Sequence, residues 1–230
     1  LPGLKEFKSA GGDVIHTAYF DNGANWRGKK ALVLGTGSSG HDIAQDLHAN
    51  GVGTTIVQRG PSMVLSINPS AKLSYAIYHG IALGDGDLFA TINTMPVLKR
   101  VLKIMTERMV EYDRKLIDGL LARGFKWYDG EDHLGHNMLI RTRYGGYNLD
   151  AGSSALMAKG EIGLYVSGTL SKALGGFGGV LAGSREFIQQ ARAGSHYYDG
   201  ASAPPSAAAA ASAKALEIVD RKSTCLNSSH

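Results

Sequence analysis

The residues Gly35-Thr36-Gly37-Ser38-Ser39-Gly40 form a complete G-x-G-x-x-G. Recognition at this spacing is done by backbone. Gly35 permits a tight turn, Gly37 lets the main chain approach a pyrophosphate, and Gly40 lets a following helix lie close to the preceding strand. The amides around Ser38 and Ser39 then face the diphosphate, favoured by the positive end of the helix dipole. The chemistry implied is binding of a dinucleotide.

That chemistry needs a strand before the turn and a helix after it. Ala31-Leu32-Val33-Leu34 is a short apolar run and reads as a buried parallel strand. Ile43, Ala44 and Leu47 follow at helical spacing, and Asn50-Gly51 supplies a stop. Thr54-Thr55-Ile56-Val57 reads as a second strand. Residues 30–60 are therefore expected to form strand, turn, helix and strand, with the strands parallel. Where a site for the unphosphorylated cofactor carries an acidic residue at the end of the second strand, this chain has Gln58-Arg59. A guanidinium at Arg59 can hold a ribose 2′-phosphate through two parallel hydrogen bonds, which favours NADPH over NADH.

Around this unit the residues resemble the flavin-containing monooxygenases. Leu1-Pro2-Gly3-Leu4 followed by Phe7-Lys8 is similar to the linker leaving their FAD domain. Gly12-x-x-x-His16-x-x-x-Phe20 resembles their fingerprint, with Ala10 where the family has Phe and His16 as a marker rather than a catalyst. Trp26-Arg27-Gly28-Lys29-Lys30, Val57-Gln58-Arg59, the stretch Tyr144 to Asp150, and Gly152-Ser153-Ser154 through Gly160-Glu161-Ile162 continue the likeness over residues 1–164. Val97, Val101, Met105, Met109, Tyr112, Leu116 and Leu120 mark a helical stripe, read as core. The resemblance implies an oxidoreductase in which NADPH reduces FAD, which then activates O2. It places the FAD fingerprint upstream of Leu1, so this chain is expected to be a fragment that binds NADPH but does not oxygenate alone.

A third glycine cluster has another affinity. Ser167-Gly168-Thr169-Leu170-Ser171-Lys172-Ala173-Leu174-Gly175-Gly176-Phe177-Gly178-Gly179 resembles the Schiff-base lysine segment of pyridoxal-phosphate enzymes of the α-oxoamine synthase group. The resemblance implies that Lys172 forms the Schiff base, Thr169 holds the cofactor phosphate, and Ser202, ahead of Pro204-Pro205, contacts the phosphate of a partner subunit. Helices are expected after Ser184 and through Ala207–Leu216. Residues 220–230 resemble the translation of a sequencing adapter, Cys225 being the one departure, and are expected to be an artefactual tail.

Composition bounds the rest. The chain has 230 residues, 43% hydrophobic and 19% charged, which suits a globular protein. A dispersed net charge of +4 gives no reason to expect nucleic acid as a partner. No apolar run reaches membrane-spanning length and no signal peptide is visible, so a cytoplasmic location is expected. One cysteine excludes an internal disulfide and a multi-cysteine metal site. The expected partners are small-molecule cofactors and a substrate. The expected class is α/β: an incomplete Rossmann-like βαβ domain over 1–164, an unrelated short α/β fragment of a pyridoxal-phosphate transferase fold over 165–219, and the tail. Three functions compete: the NADPH-binding part of a flavin monooxygenase, an acyltransferase condensing an amino acid with an acyl-CoA, and a fused chain without function.

Overall fold

The computed structural model describes residues 4–169, 179–182, 185–193, 207 and 209–215. The chain divides into two compact units, Leu1–Leu164 and Tyr165–His230. In chain order the regular elements of the first are α1 (Leu4–Ser9), β1 (Lys30–Leu34), α2 (Ser38–Ala49), β2 (Gly53–Gln58) and β3 (Met63–Ser66). There follow α3 (Leu83–Thr91), α4 (Met95–Tyr112), α5 (Arg114–Ala122), α6 (Gly135–Arg143), β4 (Tyr147–Asp150) and α7 (Ser153–Lys159). The architecture is α/β with parallel strands, as the sequence leads one to expect.

β1 and β2 pair in parallel, from Lys30 opposite Gly53 to Leu34 opposite Val57. α2 makes the crossover. It ends where its signals place the stop: the Asn50 N–H reaches the Asp46 carbonyl, and Gly51 takes a φ of +75°. One expectation needs correction. β1 is not buried on both faces: Val33 is buried, but Leu32 and Leu34 are exposed. Successive residues of a strand point to opposite faces, and only the Val33–Ile56 face is covered. Ala44 and Leu47 of α2, Leu120 of α5, Phe125, Met157 of α7 and Ile162 pack there as one core.

A second parallel pair joins β3 to β4, from Met63 opposite Tyr147 to Ser66 opposite Asp150. Met63 and Leu65 pack with Met109 of α4 and Leu139 of α6. The stripe over 97–121 also needs correction. It is two helices broken at Asp113, whose buried carboxylate accepts the Ser66 N–H at 2.7 Å. The Asp113 backbone keeps helical bonds on both sides, its N–H to the Met109 carbonyl at 3.1 Å and its carbonyl from the Ile117 N–H at 2.9 Å, so the break is a local departure to φ −98° and ψ 12°. Leu102, Thr106 and Met109 form the buried face of α4, whereas Val97, Val101 and Tyr112 are exposed. Met105, Met109, Leu116 and Leu120 pack into the two cores as the stripe leads one to expect, so the reading holds at those four and fails at Val97, Val101 and Tyr112.

The second unit holds most of β5 (Gly163–Thr169), together with β6 (Gly179–Ala182) and α8 (Arg185–Ala193). β5 and β6 pair antiparallel, from Val166 opposite Ala182 to Thr169 opposite Gly179. Residues 209–215 are helical, within the alanine-rich run. No helix among the described residues is long and apolar enough to cross a membrane.

The shared core of the first unit makes a direct expectation. Leu120 is fully buried and its neighbour Leu121 is exposed. Leu120→Ala should lower unfolding free energy by about 2–5 kcal/mol, with Leu121→Ala within about 0.5 kcal/mol of wild type. Chemical denaturation of both variants checks this; equal losses would mean that α5 is not seated on the β1–β2 pair.

Candidate functional site: the cleft at the glycine turn

The β1–α2 turn is shaped by two backbone constraints. Gly35 has a φ of +118°, open to glycine and strained for other residues. At Gly40 a Cβ would lie 2.6 Å from the Gly35 carbonyl oxygen, so no side chain fits between helix and strand. Gly37 differs: its φ is −86°, and a Cβ there would meet nothing within 4 Å. Open space at that position is what a ligand lying against the main chain requires. The first amide bonded within α2 is that of His41, to the Gly37 carbonyl at 3.1 Å. The amides of Ser38, Ser39 and Gly40 come before it and have no intrahelical acceptor.

These residues form one wall of an open cleft of about 360 Å³. Gly35, Gly37, Ser38, Ser39 and Gly40 line it together with Leu34 and Thr17, and Tyr144-Gly145-Gly146-Tyr147 form the opposite wall. Thr17 arrives from the turn begun by His16, whose Nδ1 accepts the Ala18 N–H at 3.1 Å. Among the described residues no Asp, Glu, His, Lys or Arg lines this cleft. It can bind and orient an anionic diphosphate through amides and hydroxyls, and it holds no strong acid or base to move a proton.

The two walls are tied by a buried polar network that the sequence did not reveal. His41, in the first turn of α2, is 1% exposed. Its Nδ1 lies 2.8 Å from Ser153 Oγ and 3.2 Å from Ser154 Oγ, both at the start of α7. Asp150, the last residue of β4, accepts the Ser154 N–H at 2.9 Å and the Ser153 hydroxyl at 3.2 Å through Oδ1, and the Gly152 N–H at 3.1 Å through Oδ2. With the Ser153 proton directed to Asp150, its oxygen is left for an Nδ1–H of neutral His41. Gly152, at φ +139°, presses close to Gln45 of α2, where a Cβ would be 3.1 Å from Nε2. A second tie runs below the turn. Ser62 donates to Thr36 Oγ1 at 3.0 Å, and buried Gln58 exchanges hydrogen bonds with the backbone of Lys126 at 2.7 and 3.0 Å.

Of the residues singled out in the sequence, the structure thus gathers Gly35, Gly37, Ser38, Ser39 and Gly40 at one cleft. Arg59 follows β2 on the exposed surface, outside the cleft lining, with its carbonyl accepting from Lys126 Nζ at 3.3 Å. Thr169 closes β5. Lys172 and Ser202 lie outside the described residues. Sequence reasoning did not assign Thr17, Leu34 or Tyr144–Tyr147 to the site; the signal for the last was the family likeness over Tyr144 to Asp150, with Gly145 and Gly146 within it. Among the described residues no group of His, Cys, Asp or Glu could hold a metal ion.

Burial pushes the His41 imidazole down to about 4, an effect the neighbouring Asp150 carboxylate partly offsets. Between about pH 4 and 6.5 the unfolded chain therefore carries a proton that the folded chain refuses. The stability from this site is fully present above 6.5 and lost as pH falls to about 4, on the order of 3 kcal/mol. Burial lowers His136 as well, with the same sign. Denaturation midpoints of wild type and His41→Gln across pH 4–7 should differ in slope, the variant being flatter; equal slopes would remove His41 from the acid sensitivity.

No family model matches the chain. Short stretches are similar to curated proteins. One is "Probable indole-3-pyruvate monooxygenase YUCCA3" of Arabidopsis thaliana, 40% identical over 65 residues, which is 28% of this chain and 15% of that protein. "Flavin-containing monooxygenase 3" of Rattus norvegicus is 38% identical over 66 residues, 29% of this chain and 12% of that protein. "Cyclopentanone 1,2-monooxygenase" of Comamonas sp. is 36% identical over 69 residues, 30% of this chain and 12% of that protein. The partial relatives are flavin-containing monooxygenases, and the matched stretches are small fractions of their lengths.

Proposed function

We propose that residues 1–164 are the NADPH-binding part of a flavin-dependent monooxygenase. The observation that carries this is the open space at Gly37, facing a cleft whose floor is the unbonded amides of α2. A diphosphate fits that cradle: backbone N–H groups and the helix dipole meet its charge, and Ser38 and Ser39 supply hydroxyls. Arg59, beyond the end of β2, reads the 2′-phosphate. The partial relatives, all named as monooxygenases, support the oxidoreductase class. When bound, the dinucleotide supplies a hydride. The chain's own part is to hold the diphosphate, orient the attached rings and keep the two walls in register. FAD completes such a system, and no second G-x-G-x-x-G exists in this chain to hold it.

For residues 165–219 a second reading stands on the motif around Lys172 alone, namely a pyridoxal-phosphate site with Thr169 and Ser202 on the phosphate. Joined to a monooxygenase segment and followed by the tail at 220–230, it would make the chain a fusion of unrelated pieces, inactive in isolation.

Gly37→Val should leave stability near wild type, since its side chain meets open space, and weaken NADPH binding more than tenfold by occupying the diphosphate position. Gly40→Val, meeting the Gly35 carbonyl, should lower stability instead. Fluorescence titration beside thermal melts separates the two, and full NADPH affinity in Gly37→Val would sink the cleft assignment.

Arg59→Ala should weaken NADPH by roughly 1.5–3 kcal/mol and leave NADH nearly unchanged. Equal loss for both cofactors would show that Arg59 does not read the phosphate. With FAD and NADPH added, the chain should bind NADPH without turnover. Oxygenation abolished by Gly37→Val would instead make it a working enzyme.

A further inference from the structure

Tyr144 has no structural reason to be a tyrosine. It caps α6 in the left-handed conformation, φ 52° and ψ 25°, with its N–H on the Ile140 carbonyl. That position ordinarily belongs to glycine, and a bulky residue there is strained. Two glycines follow immediately, so the local sequence is rich in the residue this backbone prefers. Burial does not compensate the strain, because 89% of the residue is exposed. Tyr147, three residues on, makes the contrast: it lines the same cleft but packs against the buried cluster of Met63, Leu65, Met109 and Leu139. Tyr144 lines the same cleft as Gly37, and its exposure shows that it gains little packing from the protein in return. Strain retained without a packing benefit points to a function.

We infer that Tyr144 is a binding residue whose ring stacks on a planar base of the dinucleotide held at the glycine turn. This rests on the reading of the cleft given above and adds a contact that the glycine motif does not contain. Every base presents a π-face, so an exposed aromatic ring beside the diphosphate position suits either end of the ligand. The cleft offers little other apolar surface, Leu34 and the Tyr147 ring being the rest.

The inference predicts a split between stability and affinity. Tyr144→Gly removes the strain and the ring together, so its melting temperature should equal or exceed that of wild type while NADPH binding weakens about tenfold. Tyr144→Phe keeps the ring and should bind as wild type does. The full chain is titrated with NADPH and with 2′-phospho-ADP-ribose, which lacks nicotinamide. Loss for both ligands assigns the contact to adenine, and loss for NADPH alone assigns it to nicotinamide; either supports stacking. Unchanged affinity in Tyr144→Gly overturns the inference, as does a loss that travels with a lower melting temperature or is shared equally by Tyr144→Phe. Wild-type chain that binds neither ligand overturns the cleft reading and this contact with it, whereas wild-type binding with an indifferent Tyr144→Gly removes the contact alone.

Discussion

Helix α2 approaches β1 so closely at Gly40 that a single carbon atom would collide with the Gly35 carbonyl. That approach aims the first amides of the helix into the cleft instead of past it. Were the helix displaced by the width of a side chain, Ser38, Ser39 and Gly40 would still have unbonded N–H groups, but these would no longer converge on the space beside Gly37. Core packing and the position of the cleft's helix wall therefore rest on one contact. Ala44 and Leu47 reach the β1–β2 core because the helix starts against the strand, and the amides reach the cleft for the same reason.

The opposite wall is held by different physics. Tyr144–Tyr147 leads into β4, whose last residue, Asp150, joins Ser153, Ser154 and His41 in a buried network. Hydrophobic contact alone fixes distance loosely, whereas directed bonds at 2.8–3.2 Å fix orientation. The arrangement carries a cost, because an imidazole at 1% exposure must remain neutral, and acid conditions work against it. Nε2 of His41 has no hydrogen-bond partner among the described residues, which adds to that cost. A network of this kind exchanges acid tolerance for a defined spacing between α2 and α7.

What the sequence reveals divides by range along the chain. The glycine turn, the helix stop at Asn50-Gly51 and the parallel pair were legible because each is encoded within a few residues and obeys backbone sterics. The His41 network was not, since Ser153 lies 112 positions away and a histidine inside an amphipathic helix has no periodic signature. The stripe over 97–121 read true at Met105, Met109, Leu116 and Leu120 and failed at Val97, Val101 and Tyr112, and the bond from the Ser66 amide to Asp113, 47 positions apart, has no local signature. β1 misled in the other direction. Its four apolar residues suggested burial on both faces, but Leu34 lines the cleft and only the Val33 side of the strand meets the core. Lys172 and Ser202 lie outside the described residues, so their expectation stands on the motif alone.

The lining of the cleft also limits what chemistry the chain can be asked to perform. A residue that moves protons must reach the reacting group with a suitable pKa. The described wall residues are glycine, serine, threonine, leucine and tyrosine, and His41 is sealed within the network and held in its neutral form at ordinary pH. On the proposed reading, hydride transfer needs no proton from the protein at the donor carbon, and the part asked of this lining is to hold the dinucleotide. Under the proposed reading the amides and hydroxyls of this lining answer the charge of the diphosphate, and the phenols of Tyr144 and Tyr147 are the titratable groups among the described lining residues.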